Sequence, residues 1–202
     1  MTTYILAATV IISLYCLSNR EWFEKLQLQP YRVQHQKTFY ELFSHGFVHA
    51  DYIHLFVNMF VLWMMGGYVE RVFRLELGDL GSVYYGVLYF GGIIAATVPS
   101  LQKQKDNPYY AAVGASGAVS AVVFAFILLD PLQMLYVYGV LPIPAVVFGI
   151  LYVAYERWQD KKGGDHIAHD AHLAGAAYGF LISILFNPQW FKQFINQLMS
   201  FI

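Results

Sequence analysis

Charge is what this sequence has least of. Its 202 residues include 12 lysines and arginines and 13 aspartates and glutamates, 12% in all. Soluble domains carry about a quarter, so an ordinary soluble domain is excluded. The formal net charge of -1 excludes nucleic acid as a partner, because phosphate neutralisation needs an excess of lysine and arginine. Cysteine is almost absent too. Cys16 stands alone, which excludes an intrachain disulfide and a cysteine-based zinc cluster. No internal repeat and no low-complexity tract is visible. What remains is apolar: 58% of the residues are hydrophobic and 18% aromatic, as expected where Tyr and Trp sit at membrane interfaces. The length fits one domain, 1–202.

A helix needs about 20 apolar residues to cross a bilayer. Six apolar runs approach that length, and they cover about 2–18, 47–67, 80–100, 112–129, 142–157 and 170–187. The first is read as a span and not a signal peptide, because no Lys or Arg precedes it and no small-x-small cleavage site follows. The fourth stops at Asp130-Pro131 and the sixth at Asn187-Pro188. The fifth starts near Pro142 or Pro144, since proline suits a first helical turn, and it is short unless 132–141 join it. Residues 20–43 mix charges with Trp22, Phe23, Leu26, Tyr31, Phe39 and Tyr40 and are read as lying in the interface. From 189 to 202, Trp190, Phe191, Phe194, Ile195, Leu198, Met199 and Ile202 recur at helical spacing opposite Lys192, Gln193, Asn196 and Gln197. That pattern is an amphipathic surface helix. The expected fold is all-α: a polytopic membrane protein with six transmembrane helices over about 2–187, an interfacial first loop and an amphipathic C-terminal helix.

Polar groups inside membrane spans are expensive, so each needs a reason. Ser44, His45, His49, His54 and Asn58 open the second run. Gly114-Ala115-Ser116-Gly117 opens the fourth, and Asp170, His172, Gly175 and Gly179 open the sixth. Spans alternate in direction, so even-numbered spans all start on one side. Three distant stretches therefore put polar groups in one layer. Ser116 lies about four residues into its run, roughly 6 Å deep at the helical rise per residue. Gly117, Ala121 and Ala125 form a small-residue stripe on the fourth run, and Ala171, Gly175 and Gly179 form one on the sixth. Such faces let membrane helices approach closely. If they meet, Ser116 and His172 lie at the same end of the contact.

That pairing has a chemistry. A serine hydroxyl needs a base to take its proton, and neutral histidine is the usual one near neutral pH. The attacked carbonyl becomes an oxyanion and needs donors. Backbone N–H groups at the start of the fourth helix lack intrahelical partners. Asn58 offers an amide, and His54, four residues earlier, shares its helical face. Gly114 and Gly117 keep side chains away from the serine, so a substrate strand can approach.

These residues resemble the rhomboid family of intramembrane proteases. Gly114-Ala115-Ser116-Gly117 is similar to the family's G-x-S-G. The stretch from Ala171 through His172, Gly175 and Gly179 is similar to its A-H-x-x-G-x-x-x-G. His45, His49, His54 and Asn58 are similar to its histidine-rich second helix. The resemblance covers about 40–187 and implies a six-helix rhomboid-like bundle. It implies a Ser116–His172 dyad without an acidic third member. It implies an oxyanion hole of Asn58, His54 and the Ser116 backbone N–H, with His49 as a structural group beside it. Glu70 is similar to a position that braces the far end of the second helix. The activity implied is serine endopeptidase cleavage of transmembrane protein substrates at or near the lipid bilayer, with no cofactor and no metal. The expected location is integral and multi-pass, in a prokaryotic cell membrane, with an organelle membrane as the alternative.

The chain departs from the family in places. Tyr40-Glu41 stands where members often carry Trp-Arg. Ser120 stands where some carry an aromatic stacked on the catalytic histidine. Val72 stands where an Arg pairs with the Glu70 position. The family orientation faces the site outward, with Arg20, Lys25, Arg32, Lys37, Lys103, Lys105, Arg157, Lys161 and Lys162 on that side and Arg71, Arg74 and Lys192 on the other. The positive-inside rule favours the reverse. The family orientation is kept because several of these charges lie in the interfacial first loop.

His35, His166 and His169 read as interfacial residues and His45 as a structural hydrogen-bonder. Asp165 and Asp170 read as solvated loop or cap residues, not as a triad acid. Two other functions compete. One is a catalytically inactive rhomboid-like protein that binds membrane clients, but such relatives usually lack the serine or the histidine. The other is a histidine-ligated membrane metalloenzyme, using His45 and His49 or His166, His169 and His172. It needs more histidines and leaves Ser116 and Asn58 without a role. A transporter would call for an intramembrane carboxylate pair, and none is visible.

Overall fold

Helices form where the apolar runs lie, and polar or turn-forming residues set their ends. The computed structural model describes residues 1–137, 139–163 and 167–201. Helix α1 (Thr2–Ser18) stops at Asn19, whose side chain then caps α2 (Arg20–Leu26) by accepting from the Trp22 N–H. Helices α3 (Pro30–Gln36) and α4 (Glu41–Ser44) complete a polar-apolar first loop of short helices. Asp51 caps α5 (Tyr52–Val61), its carboxylate accepting from the His54 N–H at 2.8 Å. A π-helical segment, Leu62–Gly66, carries α5 into α6 (Gly67–Leu77). Gly78, at φ 62°, reverses the chain, and α7 (Gly81–Gln104) runs back along α6. Then come α8 (Ser116–Leu129), α9 (Ala145–Lys162), α10 (His169–Phe186) and α11 (Pro188–Phe201).

The helices follow the six runs with three differences. The second helix starts at Tyr52 rather than 47, because His45–Phe47 forms a 3-10 turn and the chain is non-helical up to the Asp51 cap. The fourth starts at Ser116 rather than 112, because Ala112 pairs in extended form with Leu28, each N–H donating to the other's carbonyl at 2.9 Å. Residues 132–141 do not join the fifth helix. Strands β1 (Met134–Val137) and β2 (Leu141–Pro144) pair antiparallel there, Met134 opposite Pro144 and Val137 opposite Leu141. The fold is therefore helical with one short hairpin among the described residues. The fifth helix gains its length at the other end, running to Lys162.

Helix α8 is the centre. Nearly every side chain from Gly117 to Leu128 is buried, as befits a helix apolar all round. It packs against α7, α9 and α10, and against the α5–α6 helix. The two small-residue stripes do meet. A Cβ on Gly175 would lie 2.1 Å from the Gly117 carbonyl oxygen, and one on Gly179 would lie 2.1 Å from the Ala121 oxygen. These are backbone atoms that cannot step aside. Gly179→Ala is expected to cost about 1–3 kcal/mol by overpacking, read as a lower thermal midpoint in detergent. An unchanged midpoint would mean that α8 and α10 do not pack this closely.

The far end of the bundle is tied by polar side chains. Glu70, on α6, accepts from the Thr2 N–H and the Thr2 hydroxyl, each at 2.8 Å, so it braces the start of α1. Trp190 is fully buried, stacks on Phe73 at 4.9 Å and donates its indole N–H to Glu76. In the first loop, Glu41 is fully buried. It pairs with Arg32 at 3.0 Å and accepts from the Gln29 N–H at 2.7 Å. A buried carboxylate thus anchors the first loop.

The polarity of several helices is inverted. Helix α1 buries Thr2, Thr9 and Ser13 and exposes Tyr4 and Ile11, at 80% and 68%. Helix α10 buries Gly175, Gly179 and Ser183 and exposes Leu181 and Leu185. One helical run among the described residues, Tyr52–Gln104, is long and apolar enough on length and composition alone to cross a bilayer. A second joins it if His169–Phe186 and Pro188–Ser200, bent by 110°, count as one. Thr2–Ser18 and Ser116–Leu129 are apolar but shorter.

Candidate active site

One end of the bundle collects the starts of α5, α8 and α10 and the end of α9. The loop before α8 is held there by its backbone. The Gly114 N–H donates to the His45 carbonyl at 3.0 Å, and the Ala115 N–H donates to His49 Nε2 at 3.3 Å. His49 is fully buried, and its Nδ1 lies 2.8 Å from Ser13 Oγ, which donates to the Phe47 carbonyl. Its Nε2 accepts, so Nδ1 carries the proton. His45 Nδ1 donates to the Glu41 carbonyl at 2.8 Å. His45 and His49 are thus scaffold for the loop. Gly114 sits at φ 125°, a conformation that favours glycine. A Cβ there would also lie 2.7 Å from His54 Cε1. The imidazole of His54 therefore rests on a bare backbone.

Helix α8 then begins at Ser116. Its Oγ lies 2.8 Å from His172 Nε2, contributed by α10. The pair forms because Gly117 and Gly175 let α8 and α10 touch one turn further on. Asn58 is buried and donates its amide to the His54 carbonyl at 3.0 Å, and both residues line the same cavity as Ser116. That cavity holds about 930 Å³ between α5 and α9. Ile53, Val57, Phe148 and Tyr152 contribute to its apolar walls, and Ser116, His172, His54, Asn58 and Glu156 are among its polar groups.

Glu156 is the residue that sequence reasoning missed. It comes from α9, is 4% exposed, and sets Oε1 3.1 Å from His172 Nδ1. Its Oε2 lies 2.5 Å from His169 Nδ1. A carboxylate therefore sits on the imidazole, although the resemblance implied no acidic member. A signal was present: Ala145, Gly149 and Glu156 share one helical face of α9, and all three are buried. His169, read as interfacial, is instead buried at 3% exposure, because Glu156 draws it inward. Ser120 Oγ is bonded to the Tyr152 hydroxyl at 2.7 Å, which ties α8 to α9 beside the site.

Asp170, read as a solvated loop or cap residue, lies in the first turn of α10. It accepts from the Ala171 N–H and pairs with Lys103 at 2.8 Å. His35 is a surface residue paired with Asp106. Asp165 and His166 lie outside the described residues. Glu156, His169 and His172 offer ligand atoms within 4.8 Å of one another, a spacing that a divalent cation could also use. His45 and His49 take no part in that group.

The Rhomboid domain family matches this chain over residues 36–189. The chain belongs to the rhomboid family. Its members are integral membrane proteins. It is 34% identical over 146 residues to RHOMBOID-like protein 12, mitochondrial, of Arabidopsis thaliana, covering 67% of this chain and 43% of that one. It is 29% identical over 160 residues to the Rhomboid protease GlpG of Klebsiella pneumoniae, covering 77% and 51%. A third relative is Presenilin-associated rhomboid-like protein A, mitochondrial, of Danio rerio, 29% identical over 140 residues and covering 66% and 34%. The chain spans a third to about half the length of these relatives. They are mitochondrial and bacterial, so kinship does not specify the membrane in which this chain resides.

Proposed function

We propose that this chain is a multi-pass intramembrane serine endopeptidase that cleaves transmembrane protein substrates. The observation that carries the reading is the Ser116 Oγ–His172 Nε2 contact of 2.8 Å at the wall of a cavity open between α5 and α9. The six spans are α1, α5–α6, α7, α8, α9 and α10, with α11 lying on the surface. The inverted polarity of α1 and α10 supports this. In lipid, helix contacts favour small and polar residues while apolar side chains face outward. Helix α8 has 14 residues, about 21 Å at the helical rise. Its neighbour α7 has 24, about 36 Å. Ser116 is therefore recessed, and the space above it admits water.

A substrate helix unwinds at its membrane edge and enters between α5 and α9. His172 Nε2 takes the Ser116 proton while Oγ attacks the scissile carbonyl carbon. The carbonyl oxygen becomes the oxyanion, held by the Ser116 N–H, the Asn58 amide and His54. His172 returns the proton to the leaving amine, and the C–N bond breaks. Water, deprotonated by His172, then hydrolyses the acyl ester and frees Ser116. No cofactor is called for. The substrate class and the outward-facing orientation follow the family resemblance. A client-binding protein without activity would share the fold, and the GlpG relative's name says protease only of that relative.

Labelling tests the reading. A fluorophosphonate probe is expected to modify purified protein in detergent at Ser116, mapped by mass spectrometry, and Ser116→Ala is expected to lose the label. Modification at another serine, or none, would overturn the assignment.

A further inference from the structure

We propose that Glu156 is the positioning residue that holds His172 in its reactive tautomer, so that Ser116, His172 and Glu156 act as a relay. This rests on the reading of Ser116 and His172 as nucleophile and base. The geometry is specific. A carboxylate only accepts hydrogen bonds, so at 3.1 Å from Glu156 Oε1 the Nδ1 of His172 must carry a proton. Nε2 is then left with its lone pair directed at Ser116 Oγ, 2.8 Å away. A base in the other tautomer could not take the serine proton. When His172 becomes an imidazolium in the transition state, the adjacent carboxylate offsets the new charge without itself taking a proton.

The rest of the pocket is arranged to hold that carboxylate. A buried anion without partners is costly. Here His169 Nδ1 donates to Oε2 at 2.5 Å and fixes the rotation of the carboxylate. Tyr152, one turn earlier on α9, bonds to Ser120 of α8 and sets the depth of α9 against the site. The groups facing His172 are Ser116 from α8, Glu156 from α9, His54 from α5 and His169 from its own helix. Glu156 supplies the negative charge in that set. The aromatic that some relatives stack on the histidine is replaced here by a charged partner from the next helix.

The test compares wild type, Glu156→Gln and Glu156→Asp on a single-span substrate in proteoliposomes, with kcat and KM measured separately. Glu156→Gln is expected to lower kcat by about 10²–10⁴-fold, with KM within twofold. Glu156→Asp keeps the charge and is expected to recover part of that kcat at unchanged KM. If Glu156→Gln does not fold, Glu156→Asp carries the test: a folded Glu156→Asp with kcat at the background rate would overturn the proposal. Three further outcomes would overturn it: unchanged kcat in Glu156→Gln, a lowered kcat in Glu156→Gln with no recovery in Glu156→Asp, or stoichiometric zinc in purified wild type that Glu156→Gln loses. Wild type that neither cleaves nor labels at Ser116 would overturn the parent reading and this one together. Wild type that labels and cleaves, beside an unimpaired Glu156→Gln, would overturn this one alone.

Discussion

Ser116→Ala is expected to reduce cleavage of a model single-span substrate to the background rate, and His172→Ala is expected to do the same. In a serine hydrolase whose nucleophile and base act as a unit, removal of either costs about 10⁶-fold in kcat. The 2.8 Å contact is the basis for expecting the same coupling here. The double variant should therefore be no slower than either single one. Two independent contributions would instead multiply. The fold should survive: Ser116 lies on a cavity wall, and alanine there leaves only an imidazole nitrogen that water can reach. The stability of Ser116→Ala is expected within about 1 kcal/mol of wild type, while His172→Ala also strips the buried Glu156 carboxylate of one partner and is expected to cost more. The readout is substrate cleavage in proteoliposomes beside thermal unfolding in detergent. Residual activity in Ser116→Ala well above background would exclude serine as the nucleophile.

The part of this site that could be read from sequence is the part that local spacing encodes. Gly117 and Ala121 recur at helical spacing, as do Gly175 and Gly179, and the structure packs Gly175 on Gly117 and Gly179 on Ala121. Once those helices touch, Ser116 and His172 meet. Glu156 was illegible for a different reason. It lies near the end of an apolar run and is followed by Arg157, Asp160, Lys161 and Lys162, so it reads as the first of a solvated charge cluster. Only the face it shares with Ala145 and Gly149 sets it apart. His169 depended on the same fact, since its burial is decided by a side chain from another helix. The strands Met134–Val137 and Leu141–Pro144 lie in a stretch that reads from sequence as either outside the helices or joined to the fifth. Yet Gly139, at φ 73°, marks a turn that a helix would not tolerate. The late start of α5 followed from side chains as well: the Asp51 carboxylate, in capping Tyr52–Val61, draws the helix boundary past His45 and His49.

The inverted polarity bears on the membrane reading more than the hydropathy of any one helix. Thr9 and Ser13 are fully buried in α1 while Tyr4 and Ile11 face outward. In water this would bury polar groups and expose apolar ones, the reverse of what drives folding. In a bilayer it costs nothing on the outside and gives hydrogen bonds on the inside, as Ser13 does with the Phe47 carbonyl. Helices shorter than a full span are then tolerable where a wet cavity, and not lipid, covers their ends. On the proposed reading, the cavity beside Ser116 supplies that condition at the start of α8.

The oxyanion donors define the second large effect. Asn58→Ala and His54→Ala are each expected to lower kcat by about 10²–10³-fold, with little change in KM. Both side chains line the cavity beside Ser116, and the His54 ring rests against Gly114, two residues before the nucleophile. Asn58 spends one amide hydrogen on the His54 carbonyl at 3.0 Å, which leaves the other to donate to substrate. A donor aimed at an oxygen that becomes anionic only in the transition state contributes to kcat rather than to binding. The Ser116 backbone N–H stays in every variant, so neither loss should reach that of Ser116→Ala, and fluorophosphonate labelling should slow without vanishing. Asn58→Asp separates charge from shape: a carboxylate of nearly the same size repels the oxyanion, so its kcat should fall below that of Asn58→Ala. Equal rates for Asn58→Asp and wild type would remove Asn58 from the oxyanion hole and leave it a structural residue that ties one turn of α5 together.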